Sequence, residues 1–216
     1  MIIDNIRYNV LYDRFKPLCF VGDTYYNRMM YNYFVRVRPD TMLARVEDIE
    51  NNDQQWFDHR QFIASSSNAK TKQYIVGRLA DKNPHYFSVV GDDNHFANVQ
   101  IGQGCFVQFF NTAVCNDIVI GNHCSIASYV TLGHCTQLED FCHVSSYCFV
   151  NFTRLGQGSC VAVATNFLGS REHTLITAPY CNFMTSGTVT KTIAETGTYL
   201  GNRQVSKESS ISYNIL

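Results

Sequence analysis

The sequence predicts a small α/β domain followed by a triangular β-solenoid that winds around a packed interior. Residues 17–90 alternate short apolar runs with helical segments, which is typical of a parallel sheet. From about residue 99 the helical segments disappear, and glycine, asparagine, serine and threonine recur at short intervals. Within residues 120–150 an aliphatic residue recurs every six positions, a step that fits neither a helix nor a simple strand.

The α/β domain contains four predicted strands and two predicted helices. The strands are expected at residues 17–22, 41–46, 60–67 and 85–90, and the helices at residues 26–35 and 68–83. The second helix is amphipathic, begins near Asn68 and carries basic residues on one face. Ligands of parallel sheets bind beyond the carboxyl ends of the strands, so a ligand of this domain is expected there.

The six-residue repeat defines one inward-facing position on each side of the solenoid. These positions are Ile101, Val107, Val114, Ile120, Ile126, Leu132, Leu138, Val144, Val150, Leu155, Val161, Phe167, Thr177, Phe183 and Val189. A small inward residue follows four places later, and five of the nine cysteines hold this place: Cys105, Cys124, Cys142, Cys148 and Cys181. Three repeats make one coil, and stacked coils share one core. The ten-residue step from Phe167 to Thr177 predicts an inserted loop.

Composition narrows the class of protein. The chain has 216 residues, of which 45% are hydrophobic, so it can bury a core, and its net charge of −1 argues against a nucleic-acid role. The N-terminal segment is too polar for a signal peptide, and no stretch is long and apolar enough to span a bilayer. We therefore expect a cytoplasmic protein without a membrane partner, whose nine cysteines are reduced thiols.

The two halves together resemble the hexapeptide-repeat acyltransferases, in particular the sugar-nucleotide acetyltransferases. The similar families are the N-acetyltransferases of bacillosamine synthesis and the sialic acid O-acetyltransferases. The segments that carry the resemblance are LCFVGDTYYN, FIASSSNAKTKQYI, VTLGHCTQLEDFCHVS, SGTVTKTI and GTYLGNR. The resemblance implies a Rossmann-like α/β domain over residues 1–92, a left-handed parallel β-helix over residues 93–205 and a C-terminal tail over residues 206–216.

The resemblance also implies an activity. Acetyl-CoA would lie between adjacent β-helices of a homotrimer, and the amino group of a UDP- or dTDP-linked 4-amino-4,6-dideoxy sugar would attack the thioester directly. His134 stands at the position of the family's general base, a role that suits an imidazole because its pKa lies near neutrality. His143 matches the family's second histidine, which is expected near the acetyl group or the substrate.

The sequence departs from the family pattern around His134. The family usually follows this histidine with a carboxylate that orients the ring, and here Cys135 takes that place. The family also tends to place an asparagine on the preceding corner, where this chain has Ala127. A substitute partner is expected among three carboxylates: Glu139, Asp140 and Asp117.

The resemblance assigns further residues to ligands. Candidate contacts to the nucleotide-linked sugar are Gly22, Thr24, Asn27, Asp48, Ser66, Ser67 and Asn68. Candidate contacts to acetyl-CoA are Lys191, Arg203 and Lys207. The inserted loop places Arg171 and His173 where they could border the same groove.

A metal site is the competing interpretation of the residues around His134. Zinc prefers Cys and His ligands, and the stretch contains His134, Cys135, Cys142 and His143. Neighbouring side chains of an extended chain point in opposite directions, so these four would not converge, and we predict no metal. Sugar O-acetylation, a non-catalytic scaffold and a metalloprotein that shares histidines between subunits, like carbonic anhydrases of this fold, remain alternatives.

Overall fold

The computed structural model describes residues 8–11, 15–113, 115 and 117–207. Its elements up to residue 91 are, in chain order, β1 (Tyr8–Leu11), β2 (Leu18–Val21), α1 (Tyr25–Val37), β3 (Met42–Ala44), α2 (Val46–Ile49), α3 (Gln54–Asp58), β4 (Gln61–Ile63), α4 (Ala69–Arg78), a 3-10 turn (Ala80–Lys82) and β5 (Ser88–Gly91). The strands β3, β2 and β4 form a small parallel sheet in that order, as the alternation of strands and helices predicts.

Side-chain caps fix where the two main helices begin. Thr24 accepts a hydrogen bond from the Asn27 N–H at the start of α1, and Asn68 accepts from the Lys70 and Thr71 N–H groups at the start of α4. Of the basic residues that the sequence predicts on one face of this helix, Lys72 is fully buried. Lys72 lies on the same buried face of α4 as Ala69 and Ile75, and its amine reaches the Cys142 carbonyl of the solenoid.

The predicted strand at residues 85–90 does not join the small sheet as a fourth full strand. Tyr86 forms a single parallel bridge with Phe62, and β5 then pairs with the solenoid instead. The sequence pattern of an apolar strand does not depend on which sheet it joins, so the pattern could not show that this strand pairs with the solenoid. The first coil therefore begins at Ser88, ahead of residue 93 where we expected the β-helix to start.

The solenoid winds through about six coils of short parallel strands. After β5 its strands are β6 (His95–Phe96), β7 (Val99–Ile101), β8 (Phe106–Val107), β9 (Thr112–Ala113), β10 (Ile118–Ile120), β11 (Ser125–Ile126), β12 (Thr131–Leu132), β13 (Gln137–Leu138), β14 (His143–Val144), β15 (Phe149–Asn151), β16 (Thr153–Leu155), β17 (Cys160–Val161), β18 (Asn166–Leu168), β19 (Leu175–Ile176), β20 (Asn182–Phe183), β21 (Thr188–Val189), β22 (Thr198–Leu200) and β23 (Arg203–Ser206).

These strands stack into the three faces of a prism. The first face contains β5, β8, β11, β14, β17, β20 and β22, with β1 and β23 antiparallel at its ends. The second face contains β6, β9, β12, β15, β18 and β21, and the third contains β7, β10, β13, β16 and β19. The chain visits the faces in that order, so three edges separate them: first–second, second–third and third–first.

The predicted inward positions form the core. Residues eighteen apart stack as expected, with Ile120 beside Leu138 and Leu132 beside Val150. The five cysteines assigned to packing are all buried, which confirms their interior place. Before Ile120 the predicted positions Ile101 and Val107 pair with Ile120 and Ile126 of the next coil, and Ala113 also lies in the core. Val114, the third predicted position, lies outside the described residues. The inserted loop spans residues 169–174, and Thr177 regains the register.

Corner residues of the solenoid often adopt a left-handed backbone although they carry side chains. On the first–second edge this conformation recurs at Phe110, Tyr129 and Tyr147, whose φ angles are 60°, 63° and 61°. Their rings stack with centroids 5.1 Å apart at each step, and we call these three residues the aromatic ladder. All three are largely exposed, so an apolar strip runs along this edge.

The α/β part packs on the first face. A shared core joins Phe20 and Ile63 of the small sheet, Phe34 of α1 and Phe106 of β8. Gln73 of α4 also donates a hydrogen bond to the Tyr180 hydroxyl on the third–first edge, at 2.8 Å. Among the described residues, no helix is long and apolar enough to cross a bilayer.

Candidate functional site

His134 lies on the second–third edge, in the turn from β12 to β13, with its side chain exposed. Its backbone N–H donates to Asn151 Oδ1 at 2.9 Å, and its ring stacks on Phe152 with centroids 5.5 Å apart. Gly133 must be glycine here, since a Cβ atom would lie 2.2 Å from Asn151 Oδ1. The corner is therefore fixed through its backbone while the imidazole remains open to a ligand.

The three candidate carboxylate partners of His134 occupy two different edges. Glu139 and Asp140 lie on the third–first edge, where Glu139 pairs with Arg154 and Asp140 accepts from the Asn122 N–H. Asp117 lies on the His134 edge, one coil earlier, because Ile120 pairs with Leu138. No described residue bonds to the Asp117 side chain, which is exposed. Asp117 is thus the carboxylate of the three that shares an edge with His134.

His143 lies on the first face, outside the core but under the α/β part. The residue is 3% exposed, and its ring centroid lies 5.9 Å from that of Tyr26 in α1. Its Nε2 is 3.0 Å from the Ser145 hydroxyl, and its Nδ1 is buried without a hydrogen-bond partner among the described residues. Burial, with the charge of Lys72, lowers the pKa of His143 to about 3. A contact with a sugar or thioester oxygen would require the Tyr26 cover to open.

A cleft of about 500 Å³ opens beyond the carboxyl ends of β2 and β3, where the parallel sheet predicts a ligand. Asp48 lines it, as the sequence suggested. The other lining residues are Asp23, Arg28, Tyr31, Asn32, Leu43, Ala44 and Arg45. The cleft therefore combines two guanidinium groups and two carboxylates with an aromatic ring, a set suited to a polar, charged ligand.

Three of the predicted sugar-nucleotide contacts brace the turn beside this cleft. Gly22 has φ of 95°, and a Cβ atom there would lie 2.5 Å from the Ile75 side chain. Asn27 is fully buried, donating to the Val21 and Gly22 carbonyls and accepting from the Ser65 N–H. The Thr24 hydroxyl donates to the Ser65 carbonyl at 2.5 Å. These contacts give Thr24 and Asn27 a structural role in shaping the turn.

Ser66, Ser67 and Asn68 follow β4 and lie beside the first face of the solenoid. The Ser66 carbonyl accepts from the Ser125 hydroxyl at 3.1 Å, and the Ser66 hydroxyl accepts from the Asn68 N–H. Asn68 itself caps α4. The three residues border the seam between the α/β part and the solenoid, outside the lining of the cleft.

The predicted acetyl-CoA contacts are exposed on the last coils. Lys191 follows β21 on the second–third edge, three coils beyond His134. Arg203 and Lys207 lie in and after β23, at the end of the first face. Arg171 and His173 sit in the inserted loop, on the same edge as His134 and Lys191. The second–third edge thus carries the exposed imidazole and several of the predicted basic residues in one line.

The sequence did not identify Arg28, Arg45 or Lys72 as candidates. Arg45 had a signal, because it directly follows the second strand of a parallel sheet, where side chains meet a ligand. Lys72 had none, since its burial depends on how α4 docks on the solenoid. In the part of the chain that the structure describes, no group of three or more His, Cys, Asp or Glu could hold a metal ion.

No protein-family model and no curated protein matches the sequence. Solved structures match its fold. The acetyltransferase domain of PglB from Neisseria gonorrhoeae FA1090 has a TM-score of 0.74 at 14% identity, over 88% of this chain and 99% of that chain. Its complex with acetyl coenzyme A has a TM-score of 0.73 at 13% identity, covering 88% and 98%.

A third match is a mutant of GDP-perosamine N-acetyltransferase from Caulobacter crescentus, in complex with CoA and GDP-perosamine. Its TM-score is 0.72 at 10% identity, over 89% of this chain and 97% of that chain. At such identities the matches establish the fold. They confirm the predicted architecture, an α/β part followed by a left-handed parallel β-helix.

Proposed function

We propose, from the premise of this shared fold, that the protein transfers an acetyl group from acetyl-CoA to the amino group of a nucleotide-linked sugar. One observation carries the proposal: the solenoid leaves the His134 imidazole exposed, although the corner is held by the bond from its backbone N–H to Asn151. Two of the matched structures hold acetyl coenzyme A, or CoA with GDP-perosamine, which supports this substrate class. The cleft in the α/β part supplies a site for the nucleotide.

His134 would act as the general base. The sugar amine attacks the thioester carbonyl carbon, its proton passes to an imidazole nitrogen, and the C–S bond breaks as CoA leaves as a thiolate. General bases contribute about 10²- to 10⁴-fold to such steps. Asp117, on the same edge, would orient the ring in place of the carboxylate that Cys135 replaces.

The active site would form between two chains of a homotrimer. The nucleotide cleft belongs to the α/β part, which packs on the first face, whereas His134 lies on the edge opposite that face. A sugar bound in one chain's cleft therefore meets the His134 of a neighbouring chain. The exposed aromatic ladder supplies apolar surface for a subunit contact of this kind.

Acetyl-CoA would lie between adjacent β-helices, with its thioester at His134 and its phosphates toward the last coils, where Lys191, Arg203 and Lys207 lie. The acceptor would be a 4-amino-4,6-dideoxy sugar linked to UDP or dTDP, held by the cleft with Asp48 and by the residues near Ser66. His143 would contact the sugar or thioester oxygen once Tyr26 moves.

The test is acetyl transfer in solution. Acetyl-CoA is mixed with UDP-, dTDP- and GDP-linked 4-amino sugars, and free CoA and acetylated sugar are quantified. We expect CoA release only with an amine acceptor, and a kcat lower by about 10²- to 10⁴-fold for His134→Asn. His95→Asn, which changes an exposed histidine in the first coil of the solenoid, is the matched control and should keep full activity.

Other outcomes separate the alternatives. CoA release with hydroxyl acceptors and none with amines would indicate a sugar O-acetyltransferase. Absence of both CoA binding and nucleotide-sugar binding by calorimetry would indicate a non-catalytic scaffold. Full activity in His134→Asn would remove this histidine from the mechanism.

A further inference from the structure

The turn after β2 poses a problem for a diphosphate ligand. Nucleotide-binding α/β folds usually cradle phosphate with glycine backbone N–H groups at this turn. Here a single glycine, Gly22, is followed by Asp23, whose carboxylate lines the cleft. A fixed negative charge would repel a diphosphate at the place where the fold presents it.

Three backbone groups at this turn already form hydrogen bonds within the protein. The Gly22 N–H donates to the Ala44 carbonyl at 2.8 Å, and the Gly22 carbonyl accepts from Asn27 Nδ2 at 3.0 Å. The Asn27 N–H is held by the Thr24 hydroxyl. These groups are engaged, so a phosphate needs additional donors from the side chains that line the cleft.

Two guanidinium groups line the same cleft. Arg28 pairs with Asp23 through two contacts, Nε to Oδ1 and a terminal nitrogen to Oδ2, the second at 2.5 Å. The hydrogen bonds from Arg28, with a further contribution from the charge of Arg45, hold the pKa of Asp23 below its usual value. Arg28 thus presents the forked geometry that binds carboxylate and phosphate alike, and a carboxylate currently fills it.

We infer that Arg28, assisted by Arg45, is the diphosphate-binding group of this cleft and that Asp23 is an internal competitor which the diphosphate displaces. Both ligands offer paired anionic oxygens to one guanidinium fork, so they exclude each other. Exchange is feasible because the pair is at the surface, where such an ion pair contributes little stability. The identity of the ligand as a nucleoside diphosphate sugar rests on the proposed function.

This exchange would set selectivity for charge. A monophosphate gains less from Arg28 than the Asp23 contact that it breaks, and a ligand without phosphate leaves that contact in place. A diphosphate can engage Arg28 and Arg45 together, since both line the cleft with Asp48 and Tyr31. Asp23 therefore discriminates between diphosphates and monophosphates rather than among bases.

Calorimetric binding of UDP, dTDP and GDP, without acetyl-CoA, tests the inference on the full-length chain. Asp23→Asn should raise the affinity for these diphosphates by about two- to fivefold, since it removes one exposed ionic competitor. Arg28→Gln should lower it by about tenfold or more, since charge-assisted bonds to phosphate are lost. The corresponding nucleosides should respond to neither change.

Asp40→Asn is the matched control, because Asp40 also pairs with an arginine, Arg38, but lies outside the cleft lining. It should leave diphosphate affinity unchanged. Weaker binding in Asp23→Asn, unchanged binding in Arg28→Gln, or no diphosphate binding in any variant would overturn the inference.

Acetyl transfer is measured in parallel with saturating acceptor, so that the two proposals can fail separately. Transfer by the wild-type chain without any effect of Asp23 or Arg28 on diphosphate binding would leave the proposed function standing and remove this inference. Binding that responds as expected, without acetyl transfer to any acceptor, would leave the cleft assigned and remove the enzyme proposal.

Discussion

Lys72 carries an amine buried in the seam between α4 and the first face of the solenoid. Its Nζ donates to the Cys142 carbonyl at 3.1 Å and lies 3.5 Å from the Ser125 hydroxyl. The titratable groups around it are thiols and imidazoles: Cys105, Cys124, Cys142, Cys160, His123 and His143. Because no carboxylate is among these groups, burial dominates and lowers the pKa of Lys72.

We predict that Lys72→Met stabilises the protein at neutral pH. The pKa of Lys72 is lower in the folded than in the unfolded chain, so folding is opposed by the cost of the charged form. This cost is fully present below the folded-state pKa and disappears as pH rises toward 10.5, the unfolded value. The gain in unfolding free energy should be about 1–2 kcal/mol near pH 7 and shrink in alkaline solution.

Urea unfolding at several pH values measures this effect. Lys70→Met, an exposed lysine of the same helix, is the control and should change stability little. A Lys72→Met protein that is less stable at every pH would show that the bonds to Cys142 and Ser125 outweigh the burial cost.

The sequence indicated some residues of the candidate site better than others. His134 stood out because it fits neither inward position of the repeat and matches a family motif, and the structure leaves it exposed. The burial of His143 and Lys72 could not be read from the solenoid pattern, because both side chains are covered by packing between the two halves. That packing depends on shape complementarity over residues distant in sequence.

At the scale of elements, the corner that carries His134 requires a glycine at position 133. Asn151 Oδ1 holds the His134 N–H, and Gly133 leaves room for it. We predict that Gly133→Ala displaces Asn151, lowers the unfolding free energy by about 1–3 kcal/mol and reduces acetyl transfer, while diphosphate binding in the cleft persists.

Gly77→Ala provides the contrast for this prediction. Gly77 lies inside α4, and a Cβ atom there would meet nothing within 4 Å. This change should raise the unfolding free energy by up to about 1 kcal/mol, because alanine is the better helix former. If both substitutions changed the midpoint of thermal unfolding equally, the steric conflict with Asn151 would not determine the stability of Gly133→Ala.

The repeat predicted the solenoid elements because its period is set by the geometry of a coil. Leu155 and Thr177 regain the register after irregular steps, since an inward residue must return to the core. The six-residue period does not predict which corner contains an extra residue, because a corner before or after a strand can accommodate it. Ala113, one position before the predicted inward residue, lies in the core for this reason. The prediction that β5 belongs to the small sheet was wrong for a similar reason, because the apolar content of a strand does not determine which strand it pairs with.

At the scale of the whole molecule, the separation of His134 from the cleft predicts complementation between chains. Chains with His134→Asn and chains with Asn32→Trp, which fills the cleft, should each be inactive alone. When equal amounts are mixed and refolded together, about one site in four should regain activity. Each site combines the His134 edge of one chain with the cleft of its neighbour, and each of these is intact in about half of the chains.

Sedimentation of the wild-type chain establishes whether it forms the trimer that this experiment assumes. Mixing each variant with itself is the control and should restore nothing. Failure of the mixed trimers to regain activity would place His134 and the cleft of one chain in the same site, contrary to their positions on opposite sides of the prism.

The aromatic ladder gives the solenoid an optical property. Tyr129 and Tyr147 are parallel to within 1°, and Phe110 extends the stack by one ring at the same 5.1 Å spacing. Rings held so close in a chiral array couple their electronic transitions, which produces a near-ultraviolet circular dichroism signal that isolated tyrosines lack. This circular dichroism band would disappear when neighbouring coils separate, so its intensity reports whether the coils remain stacked.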